Sequence, residues 1–112
     1  MTALTIHQNH VSNSWASIAV QGEIDIATVD DLSNAIQAIL DGTDGNLVVD
    51  LTATDFMDSS GLKCLIMADR SFSERDRSFA LAIGSGPISR LIDLSGVGET
   101  LRIVASVDEV TA

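Results

Sequence analysis

The segment TDFMDSSGLKCL, residues 54–65, places two adjacent serines between an aspartate and a glycine, with apolar residues on both sides. The residues before the serines predict a strand that ends at about Phe56, and those after them predict a helix that begins at Ser59 or Ser60. One of the two serines is expected to cap this helix by accepting a backbone N–H bond. Gly61 removes a side chain from the first turn and lets another surface approach closely. The segment therefore predicts a strand–turn–helix unit.

Periodic segments on both sides extend this unit into a domain of alternating strands and helices. Upstream, a weak strand at 4–8 and a well-alternating strand at 14–21 are joined by the polar segment QNHVSN, which predicts a hairpin. A helix capped by Thr28 follows, and the apolar run NLVVDL is typical of a buried central strand. Downstream come a strand in RSFALAIG, a short helix opened by Pro87, a strand in TLRIV and a final turn begun by the capping box SVDE.

This order of elements predicts an α/β fold. A hairpin followed by strand–helix units implies a mixed central sheet of about four to five strands, flanked by helices and with parallel later strands. At 112 residues, of which 46% are hydrophobic, the chain is expected to form a single domain over residues 1–112.

Charge and composition argue against several classes of partner. Six basic and sixteen acidic residues give a net charge of −10, which disfavours binding to nucleic acid or to an anionic membrane surface. No apolar run approaches the roughly 20 residues that a membrane-spanning helix needs, and residues 1–7 do not resemble a signal peptide. The single cysteine, Cys64, cannot form an internal disulfide. These features favour a cytoplasmic protein, monomeric when free, and no metal or cofactor site is predicted.

The residue types at 58–61 allow several interpretations. The simplest is helix-capping chemistry with no further function. A second is a nucleophilic serine, but the Gly-x-Ser-x-Gly elbow of hydrolases needs glycine two residues before Ser59, where this chain has Met57. The candidate imidazole bases, His7 and His10, lie in or near the predicted hairpin and are interpreted as surface residues.

A third interpretation is a serine that receives a phosphate. A helix N-terminus is a natural anion site, so a phosphate of about −1.5 to −2 charge should not unfold the domain. It would add negative charge to a surface that already carries Asp58 and, in an adjacent loop, Asp25. That charge would repel an acidic or apolar partner surface. Direct binding of a nucleotide beside Asp25 and Ser59 is a weaker alternative, because the chain has no phosphate-binding loop.

The helix behind the serines carries two stripes of side chains. The first stripe comprises Leu62, Leu65, Ile66 and Asp69, and the second comprises Ser60, Cys64, Met67 and Ser71. The second stripe either packs against a neighbouring helix or forms a soft surface for a partner, for which methionine is well suited.

Three motifs carry a family resemblance: GEID at 22–25, DFMDSSGL at 55–62 and ISRLIDLSGV at 88–97. They resemble the STAS-domain anti-sigma-factor antagonists of bacteria, in the same order and over nearly the whole chain. The resemblance implies a STAS fold with no catalytic machinery and no cofactor of its own. The unphosphorylated protein would bind an anti-sigma factor that is also an ATP-dependent serine kinase, and so free a sigma factor. Phosphorylation would dissolve the complex, and a serine phosphatase would reset it.

The resemblance also implies which residues act. Ser59 is the expected phosphate acceptor, with Ser60 as the alternative acceptor or the supporting cap. Asp25 and Asp58 would help to place the kinase or its nucleotide. Lys63 departs from the family pattern, and its positive charge could pair with the phosphate and soften the switch. The expected partner-binding surface comprises Gly22, Glu23, Asp25, Asp58, Ser59, Ser60, Gly61, Lys63, Cys64 and Met67. The alternative within the family is a STAS subunit of another assembly, such as a lipid-transport complex or a stress-signalling scaffold, without a kinase cycle.

Overall fold

Six strands and three helices make up the regular structure of residues 4–12 and 14–110, which a computed structural model of the chain describes. The strands are β1 (Thr5–His10), β2 (Trp15–Ile24), β3 (Asn46–Asp50), β4 (Thr54–Met57), β5 (Phe79–Ala82) and β6 (Arg102–Val104). The helices are α1 (Val29–Gly42), α2 (Ser59–Ser73) and α3 (Pro87–Ser95), with short 3-10 turns at Val97–Glu99 and Val107–Val110. Residues 1–3, 13 and 111–112 lie outside the described residues. They belong to the segment 1–7 that does not resemble a signal peptide, to the predicted hairpin loop and to the end of the chain after the predicted final turn.

The strands form one mixed sheet, as predicted, in the order β1-β2-β3-β5-β6. β1 runs antiparallel to β2, and the other neighbouring strands are parallel. β3 pairs with residues 15–19 of β2, and β4 pairs with residues 22–24 further along the same strand. On this side, β2 therefore pairs with two successive short strands, one for each part of its length.

The sheet has six strands rather than four to five, and a turn separates the strand in NLVVDL from the strand before the two serines. The carboxylate of Asp50 accepts hydrogen bonds from the N–H (2.9 Å) and the hydroxyl (2.6 Å) of Thr52. The N–H of Thr54 then donates to the carbonyl of Leu51 at 3.0 Å. This turn, in which an aspartate side chain bonds the backbone two residues on, ends β3 and restarts the chain as β4.

The larger core lies between the helices and one face of the sheet. β2 contributes Ala16, Ile18 and Val20, in the alternation that the sequence predicts. The helices contribute Leu32, Ile36, Ile39, Leu40, Leu65, Ala68, Phe72, Ile88 and Ile92. A smaller cluster on the opposite face comprises Trp15, Val48, Ala80, Ala82 and Val110, the last of these from the second 3-10 turn. No helix among the described residues is long and apolar enough to cross a membrane.

Arg77, in the loop before β5, holds the end of α1 against the end of α2. Its guanidinium donates to the carbonyl of Leu40 at 2.7 Å, to the hydroxyl of Thr43 at 2.9 Å and to the carbonyl of Gly45. The same group lies 4.7 Å from the ring centre of Phe72. Arg77 thus supplies donors to carbonyls that a helix C-terminus leaves without partners.

Candidate functional site

The candidate site lies where β2 and β4 end side by side. Ile24 and Met57 are paired at the last position of these parallel strands, and the N–H of Asp58 donates to the carbonyl of Ile24 at 3.1 Å. Parallel strands bring the loops at their carboxyl ends to one edge of the sheet. Asp25 and Asp58, each the first residue after its strand, therefore meet at this edge, as the sequence interpretation expected.

Asp58, rather than either serine, caps α2. Its Oδ1 accepts hydrogen bonds from the N–H groups of Ser60 (2.9 Å) and Gly61 (3.4 Å) and from the hydroxyl of Ser60. The bond from the Ser60 hydroxyl is the main reason that the pKa of Asp58 is lowered, and the backbone bonds act in the same direction against the effect of burial. The prediction of a serine cap is wrong, because the adjacent carboxylate is the stronger acceptor at the positive end of the helix dipole.

The two serines are in different environments. Ser60 is half-buried, and its hydroxyl is committed to Asp58. Ser59 is the first residue of α2, its side chain is exposed, and its hydroxyl makes no hydrogen bond within residues 4–12 and 14–110. The hydroxyl of Ser59 is therefore the one that an incoming enzyme can reach without breaking an existing bond.

Gly61 places the first turn of α2 directly on the ends of the strands. A Cβ atom at this position would lie 2.6 Å from Cγ of Met57 and 2.7 Å from Cγ2 of Ile24. The predicted close approach is confirmed, but the approaching surface is the end of the protein's own sheet. Gly61 thereby fixes the height of Ser59 above that sheet.

Asp25 organises the loop between β2 and α1. Its Oδ1 accepts from the N–H groups of Ala27 (2.9 Å) and Thr28 (3.1 Å). The hydroxyl of Thr28 donates to the carbonyl of Glu23 at 2.8 Å and accepts from the N–H of Asp25 at 3.0 Å. Thr28 occupies the N-cap position of α1, as predicted, but its side chain makes no bond to the helix and instead closes the loop.

The expected partner-binding residues that precede this loop are part of β2 itself. Gly22 is buried and has a φ of 115°, a left-handed conformation that glycine adopts without strain. The pairing of β2 with β4 shifts register between Gly22 and Glu23. Glu23 is half-buried, and its carbonyl anchors the Thr28 hydroxyl. Both residues shape the edge on which Asp25 and Asp58 lie.

The second stripe of α2 faces a groove beside α1. The groove has a volume of about 340 Å³ and includes Ser33 of α1 with Lys63, Cys64 and Met67 of α2. Cys64 is half-buried there, and burial raises the pKa of its thiol. Lys63 and Met67 are exposed. Each of the two interpretations of the stripe thus describes part of it, since Cys64 packs toward the neighbouring helix and Met67 remains open.

Four large apolar side chains are exposed on the elements around Ser59. Ile26 follows β2, Phe56 lies in β4, Met67 in α2 and Leu94 in α3, with exposed fractions of 82, 46, 56 and 81%. Phe56 and Leu94 line a groove of about 360 Å³ between β4 and α3. Sequence reasoning missed Ile26, Phe56 and Leu94, because single apolar residues do not reveal exposure. Apolar side chains around a polar site are typical of a surface that binds another protein.

The candidate bases of a hydrolase lie elsewhere. His7 and His10 are exposed on β1, where they pair with Ala19 and Ala16 in the part of β2 distant from the Ser59 edge. Within the described residues, no group of three or more His, Cys, Asp or Glu side chains is arranged to hold a metal ion. The site therefore offers a serine and an interaction surface rather than a nucleophile with its base.

Comparison with known proteins decides the family. Residues 5–110 match the STAS domain. This chain belongs to the STAS family. The STAS domain is 31% identical to the anti-sigma-F factor antagonist RsfB of Mycobacterium tuberculosis over 97 residues, which are 87% of this chain and 79% of RsfB. The predicted family and the expectation of a regulatory binding protein rather than an enzyme are confirmed.

Solved structures agree with this assignment. The crystal structure of an anti-sigma factor antagonist from Mycobacterium paratuberculosis superposes with a TM-score of 0.85 at 28% identity, covering 95% of this chain and 89% of that one. SpoIIAA of Bacillus in its phosphorylated form has a TM-score of 0.72 at 22% identity, covering 96% of each chain. The likeness to SpoIIAA shows the common fold, and the predicted α/β class is confirmed.

Proposed function

We propose that this STAS domain antagonises an anti-sigma factor and that phosphorylation of Ser59 switches the antagonism off. The observation that carries the proposal is the difference between the two serines: Ser59 is exposed and unbonded, whereas Ser60 is held by Asp58. RsfB and the M. paratuberculosis protein, both named as anti-sigma factor antagonists, support the class of partner. SpoIIAA, named as phosphorylated in one solved structure, supports the modification.

The proposed cycle has two enzymes, neither of which is this chain. The unphosphorylated protein binds an anti-sigma factor that is also a serine kinase, and the sigma factor is released. The kinase transfers the γ-phosphoryl group of ATP to the Oγ of Ser59, and the hydroxyl proton is lost to solvent or to a base of the kinase. A serine phosphatase hydrolyses the ester and restores Ser59. Because the cycle consumes ATP, it takes place in the cytoplasm.

The fold tolerates a phosphate at Ser59. The residue begins α2, where negative charge is favoured by the helix dipole. Asp58 already accepts the N–H bonds of Ser60 and Gly61, so the phosphate remains at the surface instead of replacing the cap. A charge of about −1.5 to −2 is therefore added to the surface without a rearrangement of the helix.

The same charge disrupts the interface. Ile26 and Phe56 present apolar surface on the neighbouring elements, and Asp25 and Asp58 already place two carboxylates at this edge. Burying a phosphate there removes it from water without a sufficient counter-charge, which is unfavourable. Lys63, one helical turn after Ser59, can approach the phosphate and offset part of this effect.

The test is phosphorylation by the kinase-type anti-sigma factors encoded in the same genome. The protein, Ser59→Ala and Ser60→Ala are each incubated with ATP and a candidate kinase, and the intact mass and the modified site are determined by mass spectrometry. We expect one phosphate on Ser59 in the unsubstituted protein and in Ser60→Ala, and none in Ser59→Ala. A phosphate on Ser60, or none with any kinase that binds the protein, would contradict the proposal.

Binding is measured separately by calorimetry with the same anti-sigma factor. Ser59→Ala should bind as tightly as the unphosphorylated protein, and Ser59→Asp should bind at least about tenfold more weakly. If Ser59→Ala and Ser59→Asp bind equally well but the phosphorylated protein binds weakly, the single negative charge of aspartate is insufficient to release the anti-sigma factor. Equal affinities of all three forms would refute the switch.

A further inference from the structure

β1 forms an unprotected edge of the sheet. It pairs with β2 over six consecutive residues without a bulge, and no described strand lies beyond it. Native sheets protect such edges with short strands, charged side chains, proline or bulges, since the open backbone groups attract another strand. The sequence of β1, TIHQNH, contains no lysine, no acidic residue and no proline.

The outer strand at the opposite side of the sheet is protected. β6 is only three residues long and carries Arg102, whose guanidinium lies 5.6 Å from the ring centre of Trp15. β4, which pairs with β2 outside the main strand order, is four residues long, carries Asp55 and packs against α3. β1 is therefore the long regular edge that lacks these features.

The distribution of charge also distinguishes β1. The sixteen acidic and six basic residues all lie at or after Glu23, so residues 1–22 carry no Asp, Glu, Lys or Arg. Two copies of a chain with a net charge of −10 repel each other over most of their surfaces. A contact through β1 brings together the uncharged segments and keeps the acidic surfaces apart.

The backbone of β1 presents a regular set of outward groups. The N–H of Val11 donates to the carbonyl of Trp15 at 3.0 Å, one step beyond the pairing of His10 with Ala16. Antiparallel ladders alternate between residues that bond the partner strand and residues that face away. Counting back from Val11, the N–H and C=O groups of Ile6, Gln8 and His10 therefore point away from β2.

We propose that a second copy of this chain pairs antiparallel with β1 about a twofold axis at Gln8. This register opposes Gln8 to the same residue of the second copy and Ile6 to His10. It satisfies the three outward-facing residues of both strands with about six N–H···O=C bonds and joins the two sheets into one. The pairing does not rest on the proposed function, and it replaces the sequence-based expectation of a free monomer with a weak dimer, because the contact is small.

The first test combines sedimentation with amide hydrogen exchange on the full chain. The average mass should rise from that of one chain toward that of two between micromolar and millimolar concentration. Exchange at the amides of Ile6, Gln8 and His10 should slow over the same range, whereas the amides of His7 and Asn9, already bonded to β2, should not change. A single-chain mass throughout, or a dimer without this alternating protection, would overturn the proposal.

Two substitutions at the twofold axis give the second test. Gln8→Pro removes an outward N–H and leaves the bonds to β2 intact, and Gln8→Lys opposes two positive charges across the axis. Each should raise the dissociation constant of the dimer at least about tenfold. Asn34→Lys, with the same change in charge on the exposed face of α1, is the matched control and should leave the constant unchanged. A dimer that survives both Gln8 substitutions uses a different surface, which would also overturn the proposal.

Discussion

Replacing Gly61 by alanine tests whether α2 begins in direct contact with the strand ends. The new Cβ would lie 2.6 Å from Cγ of Met57 and 2.7 Å from Cγ2 of Ile24. Both neighbours are core side chains, with exposed fractions of 4 and 0%. Neither contacting atom is the free end of a long flexible side chain, so α2 or the strand ends must move.

Two effects of opposite sign determine the change in stability. Alanine favours the helical state over glycine by up to about 1 kcal/mol. Inserting a methyl group into a close-packed region typically costs about 1–3 kcal/mol. Because both distances are far below van der Waals contact, we expect the steric cost to exceed the gain. The free energy of unfolding should fall by about 1–2 kcal/mol.

Gly42 provides a matched control in the same protein. It is the last residue of α1, and a Cβ there would meet no atom within 4 Å. Gly42→Ala therefore should leave stability unchanged or raise it by up to about 1 kcal/mol. Urea unfolding at neutral pH, followed by the fluorescence of the single, buried Trp15, measures both variants. If Gly61→Ala is as stable as Gly42→Ala, α2 does not rest on the strand ends as described.

Two further substitutions test the ends of the helices. Arg77→Lys should lower the free energy of unfolding by about 1.5–3 kcal/mol in urea, because lysine cannot make the forked bonds and the aromatic contact. Arg75→Lys should change it by less than about 0.5 kcal/mol, because the side chain of Arg75 is half exposed and its bonds to the Leu40 carbonyl (3.2 Å) and to Asp41 (3.4 Å) are long. Asp58→Ala should lower it by about 1 kcal/mol at pH 7 through loss of the cap. Since folding lowers the pKa of Asp58, the stabilisation by its carboxylate is complete above the usual carboxyl pKa and declines as the pH falls through the lowered value. Asp58→Asn keeps a capping oxygen and should weaken the loss of stability as the pH falls. If both variants lose stability at low pH as the unsubstituted protein does, Asp58 is not the cap.

The strongly periodic parts of the fold follow directly from the sequence. The alternation in β2 identifies which of its side chains enter the larger core, and the spacing in α1 identifies its buried face. In these segments, local preference and tertiary packing favour the same structure, so the hydrophobic pattern is sufficient to predict the element and its buried face. The family can likewise be identified from the sequence, and two of its three motifs, GEID and DFMDSSGL, include the strand ends that build the site.

Other features depend on competition between neighbours. Asp58, Ser59 and Ser60 are all good capping residues, and the sequence does not say which one reaches the first N–H groups. The turn made by Asp50 and Thr52, which separates the strand in NLVVDL from the strand before the serines, depends on an aspartate side chain that the apolar pattern does not reveal. The exposure of single apolar residues is a property of the assembled sheet rather than of any short segment. The same is true of the position of β1, which has no described strand on its outer side.

If Ser59 is phosphorylated as proposed, the carboxylate at the start of α2 affects how long the phosphorylated state persists. Because Asp58 already accepts the first N–H bonds of α2, a phosphate on Ser59 finds few donors to hold it. A phosphoryl group sequestered by the helix would resist hydrolysis and record past kinase activity. One left in water is open to hydrolysis as soon as a phosphatase arrives. In the proposed cycle, the lifetime of the modified state would then be determined by the relative amounts of the two enzymes, and the domain would report their current balance.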